Sequence, residues 1–260
     1  MPTLDRDGVA IHYEDHGPQD AETLPVLLTH GYAATCLMWR PQIAAFADRY
    51  RLISWDMRGH GKSDSPPDDA LYSRDLTVED MRAILDELGI EQAVIAGHSL
   101  GGYMSLAFQA THPERTGALI LQGTGPGYRN PVAREAWNED RLQRAERLET
   151  IGMSTHDGGS EVDMSEHSSA EGLARAARGM LTQHDSLVID GIASITLPTL
   201  LLVGENDTPF RNGMSYMENR IEGSELHVFD GAGHGVNIEA PEGVNAAIEG
   251  FLAQLAGAGA

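Results

Sequence analysis

Gly97-His98-Ser99-Leu100-Gly101-Gly102 follows the apolar run Ala93-Val94-Ile95-Ala96 without a spacer and opens directly into a helical pattern. A strand that turns into a helix within so few residues must hold its apex residue in a cramped, exposed position, the setting of the G-x-S-x-G motif. Glycines on either side leave room where side chains of neighbouring elements would collide. The hydroxyl of Ser99 is thereby thrust off the sheet, and Ser99 is the candidate nucleophile. A plain structural turn uses the same residue types, so the reading depends on what the rest of the chain supplies.

Short apolar runs at residues 9–13, 26–29, 52–55, 94–96, 118–121, 199–203 and 226–229 read as strands. Helical patterns near 39–48, 78–88, 100–112, 212–221 and 241–255 alternate with them. The alternation predicts an α/β fold with a mostly parallel, doubly wound sheet. Right-handed crossovers then gather the strand-end loops on one edge, where chemistry is expected. Residues 125–189 break the rhythm: a charged helix over 131–148, a polar loop over 154–169 and a helix over 171–181 replace the strands. They are expected to form a helical cap inserted between core strands, dividing the core into 1–124 and 190–260. Trp137, Leu142, Met153, Met164 and Met180 either face a pocket beneath this cap or fasten it to the core. Tyr32, Trp137, Met153 and Met180 are the candidates for the substrate pocket.

A serine hydroxyl needs a base, and the base needs an orienting acid. Among 11 histidines, His234 lies in Gly231-Ala232-Gly233-His234-Gly235, between the last strand and the last helix, where small neighbours let the imidazole reach the turn. His12, His16, His112, His156, His167, His184 and His227 lack that setting and read as surface or packing residues. The strand at 199–203 runs into Gly204-Glu205-Asn206-Asp207-Thr208-Pro209, which offers two carboxylates. Asp207 is preferred to Glu205, because its short side chain at the turn suits a fixed bond to an imidazole. The resulting chain order, serine, acid, histidine, differs from both protease orders. Donors for an oxyanion are expected from the backbone amides of Leu100 and of Tyr32, the latter placed by the His30-Gly31 loop.

Other chemistries are disfavoured. Gly61-Lys62-Ser63 ends like a phosphate-binding loop, but the first glycine is missing and no helical pattern begins there. The formal net charge of −21, from 39 acidic and 18 basic residues, opposes nucleic-acid or anionic-membrane partners. Lys62 is the sole lysine and Cys36 the sole cysteine, so an intrachain disulfide is excluded and Cys36 is expected to be a small buried residue. No histidine, cysteine and carboxylate set has metal-ligand spacing, and neither metal nor cofactor is expected. With no apolar stretch of signal or membrane-spanning length, a cytoplasmic location is expected.

Together the His30-Gly31 loop, the Asp56-x-Arg58-Gly59-x-Gly61-x-Ser63 turn, the serine turn, the acid loop and the Gly-His-Gly loop resemble the α/β-hydrolase superfamily over nearly the whole chain. The resemblance implies that fold, with Ser99, Asp207 and His234 as the triad and the Tyr32 and Leu100 amides as the oxyanion hole. Epoxide hydrolases and haloalkane dehalogenases of this fold use an aspartate where Ser99 stands. Hydrolases that cleave carbon-carbon bonds of ring-fission products resemble Gly-Asn-Ser at the turn and carry tryptophan after the histidine; here these positions are His98 and Gly235. Residues 233–242 are similar to 3-oxoadipate enol-lactonases. The expected activity is cofactor-free hydrolysis of small to medium carboxylic esters through an acyl-enzyme, with peroxide able to replace water. Lactone or enol-lactone hydrolysis, carbon-carbon cleavage and noncatalytic ligand binding are the alternatives.

Overall fold

The computed structural model describes residues 2–20, 23–154 and 159–258. His156 and the 155–158 part of the expected polar loop lie outside these residues. Among the described residues the strands are β1 Thr3–Arg6, β2 Val9–His16, β3 Val26–Thr29, β4 Leu52–Trp55, β5 Ala93–His98, β6 Thr116–Gln122, β7 Thr199–Gly204 and β8 Glu225–Phe229. They form one sheet in the order β1-β2-β4-β3-β5-β6-β7-β8. β1 pairs with β2 and β2 with β4 antiparallel, and every other pairing is parallel. The chain is therefore an α/β protein with a mostly parallel sheet. β1 carries no apolar run and escapes a reading by hydrophobicity; its backbone is satisfied by pairing Thr3–Arg6 against Val9–His12.

The parallel strands are buried on both faces, and period-2 alternation sends successive side chains to opposite layers. Leu27, Ile95 and Leu201 join one apolar cluster, shared with α2 (Arg74–Glu87), α3 (Leu100–Thr111) and α7 (Thr208–Glu218). Their neighbours Val26, Val94 and Leu200 join the other, against α1 (Arg40–Phe46) and α9 (Pro241–Ala258). Helix α2 starts at Arg74, before the expected residue 78, because the Ser73 hydroxyl accepts from the Leu76 amide and caps it. Between β6 and β7 the described residues include the helices α4 Pro131–Ile151, α5 Ala170–Ala176 with a π-helical continuation Ala177–Leu181, and α6 Leu187–Gly191. α6 crosses residue 189, the boundary read from the sequence. α8, Val236–Glu239, is a single short turn without a periodic signature.

The turn at 56–63 is a structural brace. The Arg58 guanidinium forks onto the Asp80 carboxylate of α2 at 2.6 and 2.9 Å, and the Asp56 carboxylate accepts from the Cys36 amide at 2.7 Å and the Lys62 amide at 2.9 Å. Strand order then decides where chemistry can sit. From β3 the chain goes outward to β4 and returns to β5 on β3's other side, and such a switch point leaves a crevice between the two strand ends. The Tyr32 loop follows β3 and Ser99 follows β5.

Candidate active site

Ser99 joins β5 to α3 with φ 52° and ψ −113°, a strained conformation for a residue with a side chain. The surroundings hold it there. The Ser99 amide donates to the Gln122 carbonyl at 2.8 Å, and the Ser99 carbonyl accepts from the Tyr103 amide at 3.0 Å and the Thr124 hydroxyl at 2.7 Å. A Cβ at Gly97 would lie 2.2 Å from the Gly101 carbonyl oxygen, and one at Gly101 would lie 2.2 Å from that of Thr29. Only glycine permits this approach of β3, β5 and α3.

Residues distant in sequence meet at this turn. His234 Nε2 lies 2.9 Å from Ser99 Oγ, and His234 Nδ1 lies 2.9 Å from Asp207 Oδ2. A carboxylate only accepts, so Nδ1 carries the proton and Nε2 is free to accept from the serine hydroxyl. Asp207 is buried at the N-terminus of α7, while the imidazole stays a quarter exposed. Acid and base loops are zipped together: the Asn206 amide donates to the Ala232 carbonyl at 2.8 Å, and Glu205 Oε2 accepts from the Gly231 amide at 3.0 Å. Glu205 thus braces the histidine loop, and Asp207 holds the imidazole.

Three neighbours of His234 and its loop were not legible in the sequence. The Phe210 ring stacks on the imidazole at 4.8 Å and 18°. His98 donates from Nε2 to the His234 carbonyl at 2.8 Å; burial, then the neighbouring His234, hold its pKa well below the ordinary value. Glu239 accepts from the Gly233 amide at 2.6 Å, the Gly235 amide at 3.2 Å and the Ser160 hydroxyl at 2.6 Å. It clamps the histidine loop and ties it to the segment between β6 and β7. The spacing of Glu239 from His234 was the one available signal, and short-range reading assigns it no role.

Behind the Tyr32 loop, His30 accepts from the Met57 amide through Nε2 at 3.0 Å, so Nδ1 carries the proton and donates to the Gly31 carbonyl at 2.6 Å. Burial lowers its pKa to about 4 despite Asp56 nearby. His167 joins the same brace: Nδ1 accepts from the Gly61 amide at 3.0 Å and Nε2 donates to the Ala33 carbonyl at 2.8 Å. It is a buried packing residue.

A cavity of about 680 Å³ opens over Ser99 and His234. Tyr32, Leu100, Trp137 and Phe210 line it. Met153 and Met180 are not among its lining residues: Met180 is fully buried in the core and Met153 packs against that core. Leu142 is exposed to solvent, and Met164 packs against the core. The sheet does bring together one histidine, carboxylate and cysteine set that sequence spacing hides, since the ligand atoms of His12, Glu14 and Cys36 lie within 4.8 Å of one another. Glu14 is already engaged there by His12 at 3.3 Å and by the Lys62 ammonium at 3.6 Å. Burial raises the Cys36 pKa and keeps it a thiol. No helix among the described residues is long and apolar enough to cross a membrane.

A family model of the alpha/beta hydrolase fold matches residues 25–152. A 2-hydroxy-6-oxononadienedioate/2-hydroxy-6-oxononatrienedioate hydrolase of Escherichia coli is 30% identical over 94% of this chain and 91% of its own. The chain belongs to the α/β-hydrolase family. Within that family it is also similar to 3-oxoadipate enol-lactonase 1 of Acinetobacter baylyi, at 29% identity over 96% of both chains. Among solved α/β-hydrolase structures, a thermophilic esterase from Thermogutta terrifontis superposes with a TM-score of 0.83 at 29% identity, over 97% of each chain.

Proposed function

We propose that this α/β-hydrolase cleaves carboxylic esters of small to medium size through an acyl-enzyme on Ser99. The observation that carries the reading is the unbroken polar chain from Ser99 Oγ through His234 to Asp207, with both contacts at 2.9 Å. Ser99 Oγ bonds to the ester carbonyl carbon as His234 Nε2 takes its proton, and Asp207 stabilises the imidazolium. The Tyr32 and Leu100 amides donate to the oxyanion. Collapse breaks the ester bond, and the alcohol leaves with the proton from His234. Water then attacks the acyl-enzyme, gives its proton to His234, and releases the acid as Ser99 regains its own. Residues 125–189 act as the cap over the cavity, with 1–124 and 190–260 as the core that carries the reacting groups.

A lactone is the second reading, favoured by full-length similarity to an enol-lactonase. The steps are the same, with the alcohol tethered to the acid product. The deciding experiment is a panel of p-nitrophenyl esters of rising chain length, aryl esters, lactones and a ring-fission dienoate, run on wild type and Ser99→Ala. Wild type is expected to turn over esters many times per chain, with a burst where deacylation is slow. Ser99→Ala is expected to fold and to lose activity by up to about a millionfold. Undiminished turnover by folded Ser99→Ala would falsify the nucleophile, and product stalling near one equivalent across the panel would point to a ligand-binding protein.

A further inference from the structure

A chain of formal net charge −21 places two arginines in the cavity that holds Ser99 and His234. Arg141 and Arg144 stand one turn apart on α4 and so share a face. The Arg141 guanidinium lies 4.1 Å above the Trp137 ring, and that of Arg144 lies 4.8 Å above the Tyr32 ring. Tyr32 is the residue whose amide is assigned to the oxyanion, so its ring lies between Arg144 and the loop that carries that amide.

Neither cation is fully matched by the protein. Among the described residues no carboxylate forms an ion pair with Arg144. Among the described carboxylates Arg141 pairs only with the adjacent Asp140, which is largely exposed, and Arg141 Nε is buried without a hydrogen-bond partner. Burial lowers the Arg141 pKa, and the like charge of Arg144 lowers it further. Desolvating a guanidinium beside another, with an N–H unmet, is costly unless an anion completes the site. The cavity wall also holds Glu161, whose buried Oε2 has no hydrogen-bond partner and would lie 3.0 Å from a Cβ on Gly235. It lies beside the histidine loop, while the two arginines lie on α4.

We propose that Arg141 and Arg144 form a carboxylate-binding subsite, so that the preferred ester or lactone carries a free carboxylate remote from the scissile carbonyl. The assignment rests on the hydrolytic reading above and adds the charge and orientation of the substrate. A carboxylate matches the planar guanidinium fork with two parallel bonds. The aromatic walls leave a mostly apolar spacer between that end and Ser99.

The test compares kcat/KM for monomethyl adipate with that for its neutral carboxamide, which has the same shape. Wild type is expected to prefer the carboxylate by at least about tenfold, the scale of one charge-assisted hydrogen bond. Arg141→Gln and Arg144→Gln should each cut that ratio severalfold, the double variant should bring it near one, and Arg141→Lys should retain part of it. Adipate should also change the fluorescence of Trp137 saturably in both wild type and Ser99→Ala, and do so less in Arg141→Gln. A ratio near one in wild type, or one that survives in the folded double variant, overturns the subsite. Inorganic phosphate competing as well as adipate overturns the preference for carboxylate. If neither ester is cleaved but adipate binds through the arginines, the subsite stands and the hydrolytic reading falls; if both are cleaved equally and adipate does not bind, the reverse holds.

Discussion

Ser99 occupies a backbone conformation that few residues with a side chain adopt, and its carbonyl and amide are both pinned by neighbours on β6, α3 and the loop after β6. Strain of this kind persists only where the surroundings over-determine it. The same economy separates the two acids of the loop after β7. Asp207 is buried against the imidazole, whereas Glu205 spends its carboxylate on the Gly231 amide. Asp207→Asn is expected to lower kcat by about three to four orders of magnitude, because an amide favours the wrong histidine tautomer. Glu205→Gln keeps an acceptor oxygen for Gly231 and should leave kcat within about threefold, as for an ordinary surface change. Steady-state kinetics on both variants check this; a dead Glu205 variant beside an active Asp207 variant would reverse the assignment.

At the scale of elements, the helices between β6 and β7 divide their labour. α5 and its π-helical continuation bury Leu173, Ala174, Ala176, Ala177 and Met180 completely in the core. α4 buries only Ala145 and Leu148 and turns Trp137, Arg141 and Arg144 to the cavity. Truncation at the two helices should therefore act on different observables. Met180→Ala is expected to cost about 2–5 kcal/mol of stability, by lost burial and a cavity that cannot fully collapse, with little change in the order of acyl preferences. Trp137→Ala should shift the preferred acyl length, since its ring lines the cavity, besides losing the hydrogen bond from its indole N–H to the Leu181 carbonyl. Urea denaturation and kcat/KM against chain length separate the two, and an unaltered length profile in Trp137→Ala would remove α4 from substrate selection.

Across the whole molecule, buried neutral histidines set the response to acid. His30 and His60 lie 5.0 Å apart and His60 and His167 5.7 Å apart, centroid to centroid, joining the loops after β3 and β4 to the segment before α5. Burial is the leading cause of the lowered pKa of each, and of His98 beside them. For His30 the ordinary value of 6.5 falls to about 4 in the fold. Between those values the unfolded chain binds a proton that the folded chain refuses, so stability is complete above about pH 6.5 and drains away as the pH falls toward 4. His30 alone accounts for roughly 3 kcal/mol over that window. Carboxylates with lowered pKa, such as Glu14 and Glu239, add losses of the same sign at lower pH. The melting temperature in high salt, which screens the net charge, is expected to drop steadily from pH 7 to 5; a flat or rising profile would contradict this account.

The sequence by itself determined the strand-turn-helix around Ser99, the alternation that builds a parallel sheet, and the candidates Ser99, Asp207 and His234. Those features are local, because a tight turn requires its glycines and a buried strand requires its apolar run, whatever lies elsewhere. β1 was hidden because its stability comes from a partner strand and not from its own composition. Met180 and Trp137 looked alike in sequence as apolar residues of a helical segment, and only packing decided that one fills the core and the other faces the cavity. Phe210 on the imidazole, Glu239 under the histidine loop, and the arginine pair in the cavity wall were equally out of reach. Each is a contact between residues whose distance is set by how loops at separate strand ends converge, and a one-dimensional pattern carries no record of that convergence.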